Sequence, residues 1–264
     1  MINEFWFEAV NINCFKNTYK VVKELNLKLK TSENIIILGP NGSGKSSIID
    51  LINRNIHPVV ENKSFLKIFN KELINIWELR KRISTVNNEI KYRINPNLRV
   101  FDLLISGLYG KYCFVLNKSD RDVSIANKLI KEMNLINLVN KKFSYLSDGE
   151  KQIVIIARAL INNPEILILD EPSSNLDYKS KFYLIDKIDE LSKLNSKIIC
   201  VTHDISMITE IYERIIMLKQ GEVIADGSQS QVLNSENINK LFDINIEIIK
   251  NRGRWEVFRK SKSK

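Results

Sequence analysis

Asn34-Ile35-Ile36-Ile37-Leu38-Gly39-Pro40-Asn41-Gly42-Ser43-Gly44-Lys45-Ser46-Ser47 is the stretch that decides how the rest of the chain is read. The run ending at Leu38 is too short for a buried helix and too apolar for a sheet edge, which predicts a central parallel strand. An amphipathic helix is expected over about 45–53. Between them, 39–46 fits G-x-x-x-x-G-K-[ST] in the strand–loop–helix setting that pattern requires. Its glycines let backbone N–H groups curl around phosphate oxygens, and the helix start adds positive potential. Lys45 is placed to reach terminal phosphates and Ser46 to complete a Mg²⁺ shell, so the segment predicts a nucleoside triphosphate site.

Working outward, 5–12 and 21–29 read as strands, with Leu25, Leu27 and Leu29 on one face and a polar segment 16–18 between. A strand near 65, a helix over 76–82 and a strand over 83–86 follow. From 91 to 146 the periodicity is helical, with Asp120 or Asp122 expected as the N-cap of a helix over 123–133. Alternation then resumes: helix 150–161, strand 166–169, helix 179–194, strand 197–202 and a short helix near 206–212. Strands 215–218 and 222–225 are joined by the turn Gln220-Gly221, and a last hairpin is expected around Asn251-Arg252-Gly253. The expectation is an α/β fold: a phosphate-loop core with a mainly parallel sheet, an N-terminal antiparallel β layer and an inserted all-helical subdomain. The whole of 1–264 forms one domain, with 1–90 and 151–264 as core and 91–150 as the helical subdomain.

Other segments carry candidate chemistry beside plainer explanations. Ile166-Leu-Ile-Leu169 ends in Asp170-Glu171; Asp170 suits Mg²⁺ and Glu171 suits polarising a water. A strand followed by an acidic helix start would look the same. Leu146-Ser147-Asp148-Gly149-Glu150 also fits a capping box, which needs no ligand. In Ser174-Asn-Leu-Asp177, Asp177 fits an N-cap. His203 follows a strand and could be a loop histidine, and His57 has no partner motif.

The order of these motifs resembles the ATP-binding cassette (ABC) family over nearly the whole chain. Ser147 to Glu150 resembles the family signature, 174–177 its D-loop and His203 its switch histidine. The resemblance implies two cassettes head to tail, each ATP lying between the phosphate loop of one (Gly39, Pro40, Asn41, Gly42, Ser43, Gly44, Lys45, Ser46, Ser47) and Ser147 and Gly149 of the other. It implies Glu171 and His203 as catalytic residues, Asp177 as the coupler of the two sites, and Mg²⁺ at Ser46 and Asp170. Two departures stand out. Glu150 replaces the usual Gln of the signature, and it opposes a phosphate unless it caps the Ser147 backbone, the reading favoured here. The Q-loop glutamine is also missing; Asn88 is its best positional match and the third expected metal residue, with Glu89 and Lys91 as alternatives after a gap. Either Phe15 or Tyr19 is expected to stack on adenine.

The implied function is the ATPase subunit of a transporter whose pathway lies in separate membrane subunits. Ile105-Ser-Gly-Leu108 and 233–255 look like cassettes of iron-complex and metal-chelate importers. The rival is a soluble, non-transport cassette of the iron–sulfur assembly kind. Expected partners are a second copy or a paralogous cassette and the permease subunits, with a solute-binding protein as a further one. Composition is consistent with this. The 264 residues are 44% hydrophobic and 27% charged, enough for a large core. A net charge of +9 permits anionic surfaces without demanding them, and no nucleic-acid partner is expected. No apolar run approaches the ~20 residues of a membrane helix. The start carries Glu4 and Glu8 in place of a signal peptide's basic region, and three scattered cysteines suit a reducing compartment. A cytoplasmic protein, peripheral on the inner face of the membrane, is expected.

Overall fold

A computed structural model describes residues 4–59, 61 and 63–259. The chain divides into two compact units, Met1–Arg80 with Lys197–Lys264, and Lys81–Ser196. In the first, β1 (Phe5–Lys16) and β2 (Tyr19–Lys30) form a long antiparallel hairpin. Both strands run past their apolar stretches, because ladder bonds between Phe15 and Lys20 and between Lys16 and Tyr19 carry the pairing up to a two-residue turn. Leu25, Leu27 and Leu29 are buried while Asn26 and Lys28 between them are exposed, the alternation of a sheet with one covered face.

After the turn comes β3 (Ile35–Leu38), with all four residues buried, then α1 (Lys45–Ile52). β4 (Phe65–Ile68) adds to the free side of β1, and α2 (Ile76–Arg82) follows.

The second unit opens with β5 (Ile83–Val86) and the single turn α3 (Ile90–Arg93). Next are α4 (Val100–Leu108), α5 (Asp120–Glu132), a 3₁₀ turn at Phe143–Tyr145 and α6 (Asp148–Leu160). β6 (Ile166–Asp170) pairs in parallel with β5, and α7 (Tyr178–Leu191) closes the unit. Among the described residues no strand lies between 87 and 165, and the stretch 91–146, expected to be helical, holds α4, α5 and the 3₁₀ turn. The N-cap of α5 differs from expectation. Ser119 caps it, and Asp122 is the third helical residue, closing a capping box with the Ser119 N–H.

The chain then re-enters the first unit through β7 (Lys197–Thr202), which pairs in parallel with β3. The helix expected near 206–212 is only a 3₁₀ turn at Ile205–Met207, because the Asp204 side chain takes the Ser206 N–H and sets a local turn. β8 (Arg214–Lys219) lies parallel to β3 on its other side, and β9 (Glu222–Ser228) pairs antiparallel with β8. Two short helices that the periodicity did not reveal follow, α8 (Gln229–Val232) and α9 (Ser235–Phe242), before the hairpin of β10 (Ile246–Asn251) and β11 (Arg254–Arg259).

Candidate functional site

In the first unit the loop 39–46 leaves β3 between its two parallel neighbours. The Gly39 N–H donates to the Thr202 carbonyl at the end of β7, 3.2 Å away. This sets His203, the next residue and an exposed one, beside the loop's entrance. The loop is also braced from the β8–β9 turn. The Gly221 N–H donates to the Ser43 carbonyl at 2.8 Å, and the Gly221 carbonyl accepts from the Lys23 N–H at 3.0 Å. Gly221 has φ 84°, and a Cβ there would lie 2.8 Å from the Val21 carbonyl, so only glycine fits without displacing β2. In the sequence Gln220-Gly221 marks a hairpin turn alone, and nothing local signals this second task.

Because β2 runs past the loop at Val21 and Lys23, the exposed rings of Tyr19 and Phe15 lie at the hairpin end of the same strand pair.

The loop suits a polyphosphate. α1 starts from Gly44 with no side-chain cap and no acidic residue in its first turn, leaving its N–H groups and positive end for an anion. The buried Ser43 Oγ has no hydrogen-bond partner. Lys45 is buried, and its Nζ donates to the Gly39 and Pro40 carbonyls at 2.7 and 3.0 Å, so its charge is held over the loop. Pro40, Asn41, Gly42 and Ser47 form the partly to fully exposed rim, and the Ser46 hydroxyl is exposed at the first turn of α1.

The second unit gathers the remaining candidates. Asp170 ends β6, and Glu171 follows with φ 49°, a strained backbone for glutamate of the kind that clusters at functional sites. Two donors pin its carbonyl, the Asn88 side-chain amide and the Ser174 N–H, each at 3.2 Å. Asn88 is thereby tied to Glu171 through the backbone. A hydroxyl and a carboxylate, as Ser46 and Asp170 provide, are the oxygen donors Mg²⁺ prefers. Among the described residues there is no cluster of three or more His, Cys, Asp or Glu that could hold a metal ion.

Both plainer explanations given above are present here. Ser147 caps α6: its Oγ accepts from the Glu150 N–H at 3.2 Å, and Glu150 Oε2 accepts from the Ser147 N–H at 2.8 Å. Burial pushes the Glu150 carboxyl up, but hydrogen bonds from the Ser147 backbone and Lys141 outweigh it and hold it below its ordinary value. Asp177 caps α7, its Oδ1 accepting from the Ser180 N–H at 2.7 Å. The two caps are neighbours, since a Cβ added to the buried Gly149 would lie 2.9 Å from the Ser180 Cβ. A glycine at 149 therefore lets the starts of α6 and α7 meet. Neither Lys141 nor Ser180 was identified from the sequence, as both act from outside the motifs.

Comparison with known proteins fits this geometry. The family profile described as "ABC transporter" matches residues 22–174. An uncharacterized ABC transporter ATP-binding protein of Lactococcus lactis, YmeB, is 32% identical over 242 residues, 90% of this chain and 92% of that one. A solved cassette dimer, in a post-hydrolysis state bound to ADP and Pi, is 29% identical with a TM-score of 0.66, covering 84% of this chain and 98% of that one. A putative metal-chelate type ABC transporter, solved in an inward-facing conformation, shares the fold at 21% identity, with a TM-score of 0.78 over 98% of this chain and 99% of that one. With more than half of its length matched by the family profile and a relative about a third identical along nine-tenths of it, the chain belongs to the ABC transporter family as an ATP-binding subunit.

Proposed function

We propose that this subunit hydrolyses ATP to ADP and phosphate, and that two cassettes closing on ATP drive solute transport through separate permease subunits. The observation that carries the reading is the phosphate loop itself: an uncapped helix start, a buried lysine held over the loop and an orphaned serine hydroxyl, all braced by β2, β7 and the β8–β9 turn. Lys45 and the loop N–H groups bind the β- and γ-phosphates, and Phe15 or Tyr19 stacks on the base. Ser46 and Asp170 would hold Mg²⁺, with Asn88 as the third residue assigned to it. When bound, the ion neutralises phosphate charge and orients the oxygens. Glu171 positions and polarises the attacking water, and His203 hydrogen-bonds the γ-phosphate. The Ser147 hydroxyl and the Gly149 N–H, at the start of α6, face the γ-phosphate held by the opposite cassette. Asp177 couples the two sites.

The functional division follows the same reading, with 1–90 and 151–264 as catalytic core and 91–150 as the helical subdomain that meets the permease. Among the described residues no helix is long and apolar enough to cross a membrane. The subunit is held at the cytoplasmic face by its permease contacts. Glu171→Gln tests the proposal: turnover is expected to fall to near zero while ATP with Mg²⁺ converts monomer to dimer in sedimentation velocity. A chain that stays monomeric under saturating ATP refutes the two-cassette mechanism.

A further inference from the structure

Glu150 places a carboxylate in the turn that is to face a phosphate, and the structure shows how its charge is answered. Lys141 Nζ lies 3.2 Å from Glu150 Oε1, while Oε2 accepts from the Ser147 N–H. Lys141 does not simply reach in from solvent on a loose segment. Its carbonyl accepts from the Val100 N–H at the start of α4, its N–H donates to the Leu138 carbonyl, and the Phe143 N–H two residues on donates to Leu98. The backbone that carries the ammonium is therefore anchored to the helical layer. The other acid of this first turn, Asp148, is exposed and pairs with Lys151 at 3.4 Å. Both carboxylates at the start of α6 thus have a lysine each, but only Glu150 is folded back onto the Ser147 backbone.

We propose that Lys141 is a positioning residue for nucleotide-driven closure: it neutralises Glu150 and holds it in the cap, keeping the Ser147–Gly149 turn open to the γ-phosphate of an opposing cassette. The inference rests on the two-cassette reading above. Without the ammonium, the carboxylate stands as uncompensated negative charge beside an arriving polyanion, and the repulsion opposes closure. A glutamine at 150 can make the same cap bond without charge, so it removes the need for the lysine.

The test uses the full chain carrying Glu171→Gln, with dimerisation titrated by ATP and Mg²⁺ in sedimentation velocity. Lys141→Met is expected to raise the ATP-dependent dimer dissociation constant about three- to fivefold, as for a half-exposed ion pair. Lys141→Arg is expected to retain parental dimerisation, and Lys141→Met with Glu150→Gln to recover most of the loss. Amide exchange of the Ser147–Glu150 turn in the monomer is expected to quicken in Lys141→Met alone. If the single and double variants dimerise equally poorly, or if Lys141→Met matches its parent, the assignment of Lys141 is overturned while the sandwich stands. If the Glu171→Gln parent itself never dimerises, both fall together.

Discussion

Gly221 offers a sharp test of how the phosphate loop is held, because it lies outside the motif and reaches the loop only through the Ser43 carbonyl. Gly221→Ala imposes two costs. An alanine at φ 84° costs about 1–2 kcal/mol in backbone conformation. Its Cβ would also stand 2.8 Å from the Val21 carbonyl, a backbone atom, and relieving that overlap costs about 1–3 kcal/mol more. The total, about 2–5 kcal/mol, corresponds to a fall in melting temperature of about 5–15 °C for a chain of this size. Gly42→Ala supplies the control, since its φ is 79° but a Cβ there would meet nothing within 4 Å. It carries the backbone cost alone, about 1–2 kcal/mol. Calorimetry should therefore rank Gly221→Ala well below Gly42→Ala. Titration with a fluorescent ATP analogue should show weakened binding in Gly221→Ala, because the loop loses the Ser43 and Lys23 bonds that pass through residue 221. Equal melting points for the two variants, or a Gly221→Ala protein that binds nucleotide like its parent, would refute the brace.

Other consequences are simpler to measure. Lys45→Ala should abolish ATP binding by calorimetric titration while leaving the melting point within a few degrees of the parent. Asp177 is held below its ordinary value of 3.8, first by the Ser180 backbone N–H and then by the Ser180 side chain. A depressed carboxylate stabilises the fold above its unfolded-state pKa, and that stabilisation fades as pH falls through the lower folded value. Asp177→Asn, which can still cap but cannot titrate, should lose less of its urea midpoint than the parent between pH 7 and about pH 3. Burial pushes the Cys14 thiol up to about 11 and Cys200 is also buried, whereas Cys113 is exposed. A thiol reagent at about pH 8 should label Cys113 within minutes and Cys14 and Cys200 only on unfolding, as peptide mapping would show.

The sequence made the core legible because its decisive signals are local. Four consecutive apolar residues at 35–38 and the glycines after them read the same with or without the rest of the chain. Ser147 with Glu150, and Asp177, were recognisable as caps for the same reason, since a cap is closed within three residues. What escaped depends on distant approach. Lys141 meets Glu150 only because the 3₁₀ turn at Phe143–Tyr145 folds the intervening chain, and Gly221 meets Ser43 only once β8 lies beside β3. The reach of β1 and β2 to Lys16 and Tyr19 was hidden because backbone ladder bonds, unlike apolar alternation, leave no mark in a polar stretch. α9 was missed because its buried face consists of Ile238 and Leu241 alone, too few to show a period in an asparagine-rich segment.

The carbonyl of Glu171 deserves a last consequence. It accepts at once from the side chain of Asn88 and from the main chain of Ser174, so one oxygen atom ties the 87–89 loop to the loop that follows β6. A displacement of the 87–89 loop would be transmitted through the Asn88 amide to the peptide that carries the Glu171 side chain. An aspartate at 88 would exchange that tether for a repulsion and uncouple the two loops.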